Sequence, residues 1–192
     1  MKTYLLLFFL SPLFVCSQSN SLNFGTNNTL DVVTWNLEWF PKNGNITIDS
    51  LKSIIEKIDA DVYALQEIDN IGSFNVLKNQ LLGYSGLLKN TSNLNLAFLY
   101  KNSITVDSAY SILDDYDYVF AGRTPFVIDL NFNGMNISLF NNHFKCCGDG
   151  TLNTGDSSDE EYRRLQAMNY LKNYIDNNNY SNAIVLGDLN DL

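Results

Sequence analysis

At 192 residues, 45% hydrophobic and 17% charged, the chain is long enough for one domain with a sizeable core and too apolar for extended disorder. Its formal net charge of −9 argues against holding nucleic acid by bulk electrostatics, which relies on basic patches that release counterions. It does not exclude nucleic acid as a substrate, because divalent cations at an acidic site bridge protein to phosphate.

Lys2, the apolar residues 4–10 and 13–15, and the polar residues 17–20 have the basic start, short apolar stretch and small-residue exit of a secretory signal. Residues 1–17 are read as that signal, with cleavage after Ser17, and residues 18–29 as a polar, Asn-rich linker. Val15 disfavours the alternative of a lipid anchor on Cys16, which wants a small residue before it. The expected product is secreted or periplasmic, without stable membrane insertion, and monomeric. Cys146 and Cys147 then remain, too few for a disulfide scaffold. A strained local bridge, a redox-labile loop and an outside partner are all open for them.

The domain is expected over residues 30–192. A mostly apolar strand at 30–37 is followed by a helix capped by Asp49, with Leu51, Ile54, Ile55 and Ile58 on one face, and by a strand at 61–66. A second helix runs through Phe74, Leu77 and Leu81. Strand-like segments follow at 84–88, 94–100, 104–112 and 125–132, and Asn133-Gly134 turns the last of these into a strand at 135–142. The polar residues 145–158 form a surface loop or functional flap. Ser157 and Glu160 make a capping signature for a helix to about Asp176, with Leu165, Met168, Leu171 and Ile175 as its apolar stripe. Residues 182–187 are the last strand. Gly187 then turns the backbone so that Asp188 and Asn190 project from its carboxyl end.

Polar residues gather at or near strand ends: Asn36, Glu67, Arg123, His143, Asp188 and Asn190. Each alone has an ordinary explanation, as a turn residue, a solvated charge, a surface ion pair or a structural histidine. Together they form a set of carboxylate and carboxamide oxygens without thiolate, which favours Mg²⁺, Mn²⁺ or Ca²⁺ over zinc or copper. A guanidinium before a strand forks onto phosphate oxygens, and a strand-end imidazole can protonate a leaving oxygen. The chemistry implied is that of phosphate esters.

The ordered segments Thr-Trp-Asn-Leu-Glu (34–38), Leu-Gln-Glu-Ile (65–68), Phe-Leu-Tyr-Lys (98–101), Arg-Thr-Pro-Phe (123–126), Asn-Asn-His-Phe (141–144) and Gly-Asp-Leu-Asn (187–190) resemble the endonuclease/exonuclease/phosphatase superfamily. Within it they are most similar to secreted deoxyribonucleases related to the pancreatic enzyme. The resemblance implies an α+β fold, a four-layer αββα sandwich, with the site at one edge. It implies Glu67 as the chief Mg²⁺ carboxylate and Asn36 as metal or phosphate ligand. Tyr100 and Arg123 would support the phosphate, His143 would transfer a proton to the leaving oxygen, and Asp188 with Asn190 would orient water, metal or phosphate. The activity implied is a metal-dependent phosphodiesterase, foremost an endonuclease with DNA as its nucleic-acid substrate. A sphingomyelinase-like or inositol-phosphate phosphoesterase, or a non-catalytic binding protein that has kept the fold, are the alternatives. The family also places a further acid and an Asp-His pair downstream of the last segment. Only Asp191 and Leu192 follow Asn190, and Asp191, in the same loop, cannot stand in for that pair, so the expectation is an incomplete sandwich lacking C-terminal strands, catalytically crippled, with an unpaired sheet edge.

Overall fold

The computed structural model describes residues 25, 26 and 28–191; the expected signal at residues 1–17 and most of the expected linker lie outside the described residues. The chain runs β1 (Val32–Phe40), α1 (Asn45–Ile58), β2 (Val62–Ile68), α2 (Ile71–Gln80), β3 (Tyr84–Lys89), β4 (Asn95–Lys101), β5 (Thr105–Ser111), a 3-10 turn (Asp114–Tyr116), β6 (Phe126–Phe132), β7 (Met135–His143), α3 (Glu160–Asn177) and β8 (Ala183–Asp188). Two four-stranded sheets result, ordered β1-β2-β4-β3 and β5-β6-β7-β8. The β1/β2 and β7/β8 pairs are parallel and the other pairings antiparallel.

Strand alternation builds the layers. In β2, Tyr63 and Leu65 pack toward α1 and α2 with Ile48, Leu51, Ile55, Phe74 and Leu77. Val62 and Ala64 face the other way, joining Phe98, Ile128, Leu130, Ile137 and Leu139 between the sheets. Val127 and Phe140 point out of the second sheet onto Ala167 and Leu171 of α3. Helices, sheet, sheet and helix therefore stack as an αββα sandwich with three apolar layers.

Two helix starts differ from expectation. α1 begins at Asn45 after Gly44, a turn before Asp49, because the positive φ of Gly44 (60°) turns the chain and Thr47 Oγ1 accepts from the Asn43 N–H at 3.0 Å. α3 is capped by Asp159, whose carboxylate accepts from the Tyr162 N–H at 2.7 Å, so Ser157 lies outside the helix. The expected apolar stripe of α3 is also rotated. Arg163, Ala167 and Leu171 are its buried line, whereas Leu165 and Met168 are 41% and 45% exposed. They border a groove of about 300 Å³ with Phe144, Leu152 and Leu189. β8 edges its sheet, with Ile184 and Val185 exposed. Among the described residues no helix is long and apolar enough to cross a membrane.

The apolar layer between the sheets is broken near one end by a polar bridge. Gln66 and Asn141 continue the inward-facing series of β2 and β7, and both are fully buried. Gln66 Nε2 donates to Asn141 Oδ1 (2.8 Å), Ala64 O (2.9 Å) and Thr34 Oγ1 (3.1 Å). Asn141 Nδ2 donates to the carbonyls of Leu65 and Ala97, both at 3.1 Å. Asn141→Ala removes one of the three acceptors of the buried Gln66 amide and the side-chain donor to two buried carbonyls; the expected cost is about 1–3 kcal/mol, read from urea unfolding. A cost below about 0.5 kcal/mol would show that apolar contacts alone join the sheets.

Candidate metal and phosphate site

The carboxyl ends of the two parallel strand pairs lie at the same edge of the sandwich, just beyond the Gln66–Asn141 bridge. Asn36, His143 and Asp188 each have the parity of their strand's inward-facing residues, so all three converge there. Glu67 does not share that parity. It takes a left-handed backbone (φ 61°) within an irregularity where pairing shifts between Leu65 and Ile68. The kink returns Ile68 to the helix-side core and frees the Glu67 carboxylate to turn toward the open edge. Asn95 holds the kink, donating from Nδ2 to Ile68 O at 2.7 Å.

At the centre, Asn36 Nδ2 donates to Glu67 Oε1 at 2.8 Å and to Asp188 Oδ2 at 2.7 Å. His143 Nε2 lies 3.7 Å and 3.8 Å from the same two oxygens. One ligand atom from each of Glu67, Asp188 and His143 falls within 4.8 Å of the other two. Two carboxylates held this close, with a neutral amide between them, repel each other, and a divalent cation relieves that repulsion. The donor set therefore fits a hard metal. The backbone assists on both sides: the Trp39 N–H donates to Glu67 Oε2 at 3.1 Å, and the Glu38 N–H to Asn36 Oδ1 at 2.9 Å.

Arg123 abuts this centre. It is 4% exposed, and its Nε and Nη2 donate to the carbonyls of His143 (3.1 Å) and Phe144 (2.9 Å). Lys89 fixes the adjoining segment by donating to Thr124 O at 2.6 Å. Burial pulls the guanidinium below its ordinary pKa, while Cys146, Glu67 and Asp188 push it back up. Asn190 has a different place from the one expected. Its Nδ2 donates to Phe144 O and its N–H to Asp188 Oδ1, both at 3.0 Å, so it orients Asp188 and is itself tied to backbone.

Tyr100 is not at the site. β4 runs antiparallel to β2, so Tyr100 pairs with Val62 at the opposite end from Glu67, five residues or about 17 Å away along the strand. It packs against the inter-sheet core. Its expected role as a phosphate support is corrected accordingly. The residues not singled out beforehand are Gln66, Asn141 and the Trp39 backbone. Polar Gln66 and Asn141 at the ends of strongly apolar strands were the available signal.

Residues 33–191 match the sequence profile of the Endonuclease/Exonuclease/phosphatase family. The chain belongs to this family, whose members are hydrolases of phosphodiester or phosphate esters and generally require a divalent metal. No curated protein matches the chain in sequence. Among solved structures, the fold is similar to D. rerio TDP2 complexed with single strand DNA product (TM-score 0.69, 17% identity, 85% of this chain and 61% of that one). It is also similar to a beta hairpin deletion mutant of beta toxin from Staphylococcus aureus (0.61, 14%, 86% and 68%). A third likeness is to the human nocturnin catalytic domain with bound sulfate anion (0.56, 19%, 85% and 64%). These are likenesses of fold. The chain spans 67%, 61% and 48% of the lengths of three TDP2 structures that it resembles.

The His143 imidazole is 3% exposed and its Nδ1 has no hydrogen-bond partner. Burial, aided by Arg123 and opposed by Asp188 and Glu67, lowers its pKa from 6.5 to about 4. At neutral pH the metal-free site thus holds a neutral ring, and the facing carboxylates favour the tautomer with the proton on Nε2. In that state it is a hydrogen-bond donor. As pH falls from about 6.5 to about 4, the unfolded chain takes up a proton that the folded one refuses, so stability drops by about 3 kcal/mol over that window. Urea midpoints of the metal-free protein at several pH values check this. His143→Gln should flatten the slope in that interval, and an unchanged slope would contradict the assignment.

Proposed function

We propose that this chain is part of a secreted, divalent-metal-dependent phosphodiesterase that cuts nucleic acid internally, with DNA as the foremost substrate. The observation that carries this is the convergence of Glu67, Asp188, Asn36 and His143 within hydrogen-bonding reach of one point, with Arg123 alongside. The signal-like residues 1–17 support export, and the DNA product named for the TDP2 neighbour supports a nucleic-acid substrate.

Glu67 and Asp188 would hold Mg²⁺, for which Mn²⁺ or Ca²⁺ could substitute, while Asn36, whose Nδ2 faces both carboxylates, would position them. When bound, the cation supplies Lewis acidity and charge neutralisation at the phosphoryl oxygens. The chain's own groups do the rest. Asn36 keeps the two carboxylates apart and aligned, and Asp188, at 28% exposure the more open of the two, orients the attacking water. His143 donates from Nε2 to the departing oxygen, whose developing charge that hydrogen bond stabilises. Arg123, clamped by two carbonyls, presents its remaining N–H groups in a fixed direction for phosphate.

The whole protein of which this chain is part should nick supercoiled plasmid with Mg²⁺ and spare it when EDTA is in excess. Glu67→Gln should lower kcat by about 100-fold or more, because the substitution keeps the shape and removes the charge. Tyr100→Phe should leave kcat unchanged. Nicking that survives Glu67→Gln at full rate would refute the metal assignment.

A further inference from the structure

Beside the carboxylate cluster lies a cavity of about 370 Å³, lined by Arg123, Arg163, Lys145 and Cys146 together with residues 92–93, 117–118 and 121–122. It brings two guanidinium groups from distant parts of the chain to one wall. Arg123 and Arg163 are only 4% and 8% exposed, yet among the described residues neither has a carboxylate within 4 Å. Arg163 rests on the Tyr118 ring, its guanidinium carbon 4.2 Å from the ring centroid, and donates from Nη2 to Tyr118 O. Its buried Nε has no partner. Each guanidinium carries five N–H donors and uses only one or two of them.

A buried charge without a counter-ion is costly, and here two of like sign adjoin the same space. Other features of the wall favour keeping that space open to an anion. The positive φ of Gly122 (79°) seats this segment against Ser92, where a Cβ would collide with the Ser92 hydroxyl. Lys145 adds a third cation, partly neutralised by Glu160 at 3.6 Å. Asp117 is the one carboxylate residue in the lining, and it is exposed. Arg123 joins the cavity to the carboxylate cluster, since it lines the one and donates from Nε to the His143 carbonyl of the other.

We propose that this cavity is an anion subsite that receives a second phosphate of the substrate, next to the one being cleaved, with Arg163 and Lys145 as its specificity-determining residues. The inference rests on the phosphodiesterase reading and deepens it: the preferred substrate carries phosphates on neighbouring units, as a polynucleotide does, rather than one isolated ester. It also answers how a chain of net charge −9 can hold a polyanion. A local pocket of fixed guanidinium groups focuses positive potential where the overall field is repulsive.

Two measurements on the full chain test this. In metal-free buffer, pyrophosphate should bind with one-to-one stoichiometry by calorimetry. Arg163→Gln should weaken it about tenfold or more, the loss expected for one charge-assisted contact. Because Arg163 also packs on Tyr118, Lys145→Glu serves as a second variant and should weaken binding by at least as much. In the second arm, KM is compared for bis(4-nitrophenyl) phosphate, which has one phosphate, and a 5′-phosphorylated dinucleotide, which has two. The ratio of the dinucleotide KM to the other should rise about tenfold in Arg163→Gln. Pyrophosphate affinity unchanged in folded Arg163→Gln and Lys145→Glu would overturn the subsite. Absence of all hydrolysis by the unsubstituted whole protein would count against the enzyme reading, while the calorimetric arm still decides the pocket.

Discussion

The hydrogen-bonded bridge between Gln66 and Asn141 is the constraint on which the candidate site depends. Below it, the two sheets meet through apolar side chains that can slide or repack at modest cost. Polar groups buried at the end of that layer tolerate no such slack, since an unpaired amide there loses its full hydration. By linking β2 to β7 directly, and to β1 through Thr34, the bridge sets the separation and register of the strands that carry Asn36, Glu67 and His143. The distances within the carboxylate–histidine cluster are thus set one layer deeper than its own side chains.

Beyond the bridge, backbone conformation does what strand parity cannot. Four strands converge, and regular alternation would point Glu67 into the helix-side core. The left-handed turn at Glu67 spends backbone strain to bring a carboxylate to the edge, and Asn95 and the Trp39 N–H hold it there. Gly187 has a related role, because any Cβ at that position would strike the Asn142 carbonyl. Without the close approach of β8 to β7, Asp188 could not sit opposite His143.

Much of this was legible in the sequence, and the failures are instructive. The strands and their order follow from alternating apolar runs, and a cluster of polar strand ends follows from βα-type connections. Tyr100 misled because a motif marks the end of its strand without giving the strand's direction. In an antiparallel neighbour, that end lies at the far edge of the sheet. Leu165 and Met168 misled for a different reason. A helix whose buried line includes Arg163 hides a charged residue among its core positions, and an apolar count rotates the helix to the wrong face. Gln66 and Asn141 could be recognised as partners only once the parity of both sheets was known.

The carboxylates and the guanidinium groups of this edge lie close together, and their failure to collapse into ion pairs needs a cause. Arg123 supplies it by spending its Nε and one Nη on the carbonyls of His143 and Phe144, which fixes the plane of the group. Asn36 does the same for the acids, filling the space in which Glu67 and Asp188 might otherwise have admitted an arginine. Opposite charges are kept near one another but unneutralised, each by neutral hydrogen-bonding groups. Such a site retains attraction for both a cation and an anion. A metal–phosphate pair satisfies both at once, and neither half of the site could do so if the protein had paired its own charges first.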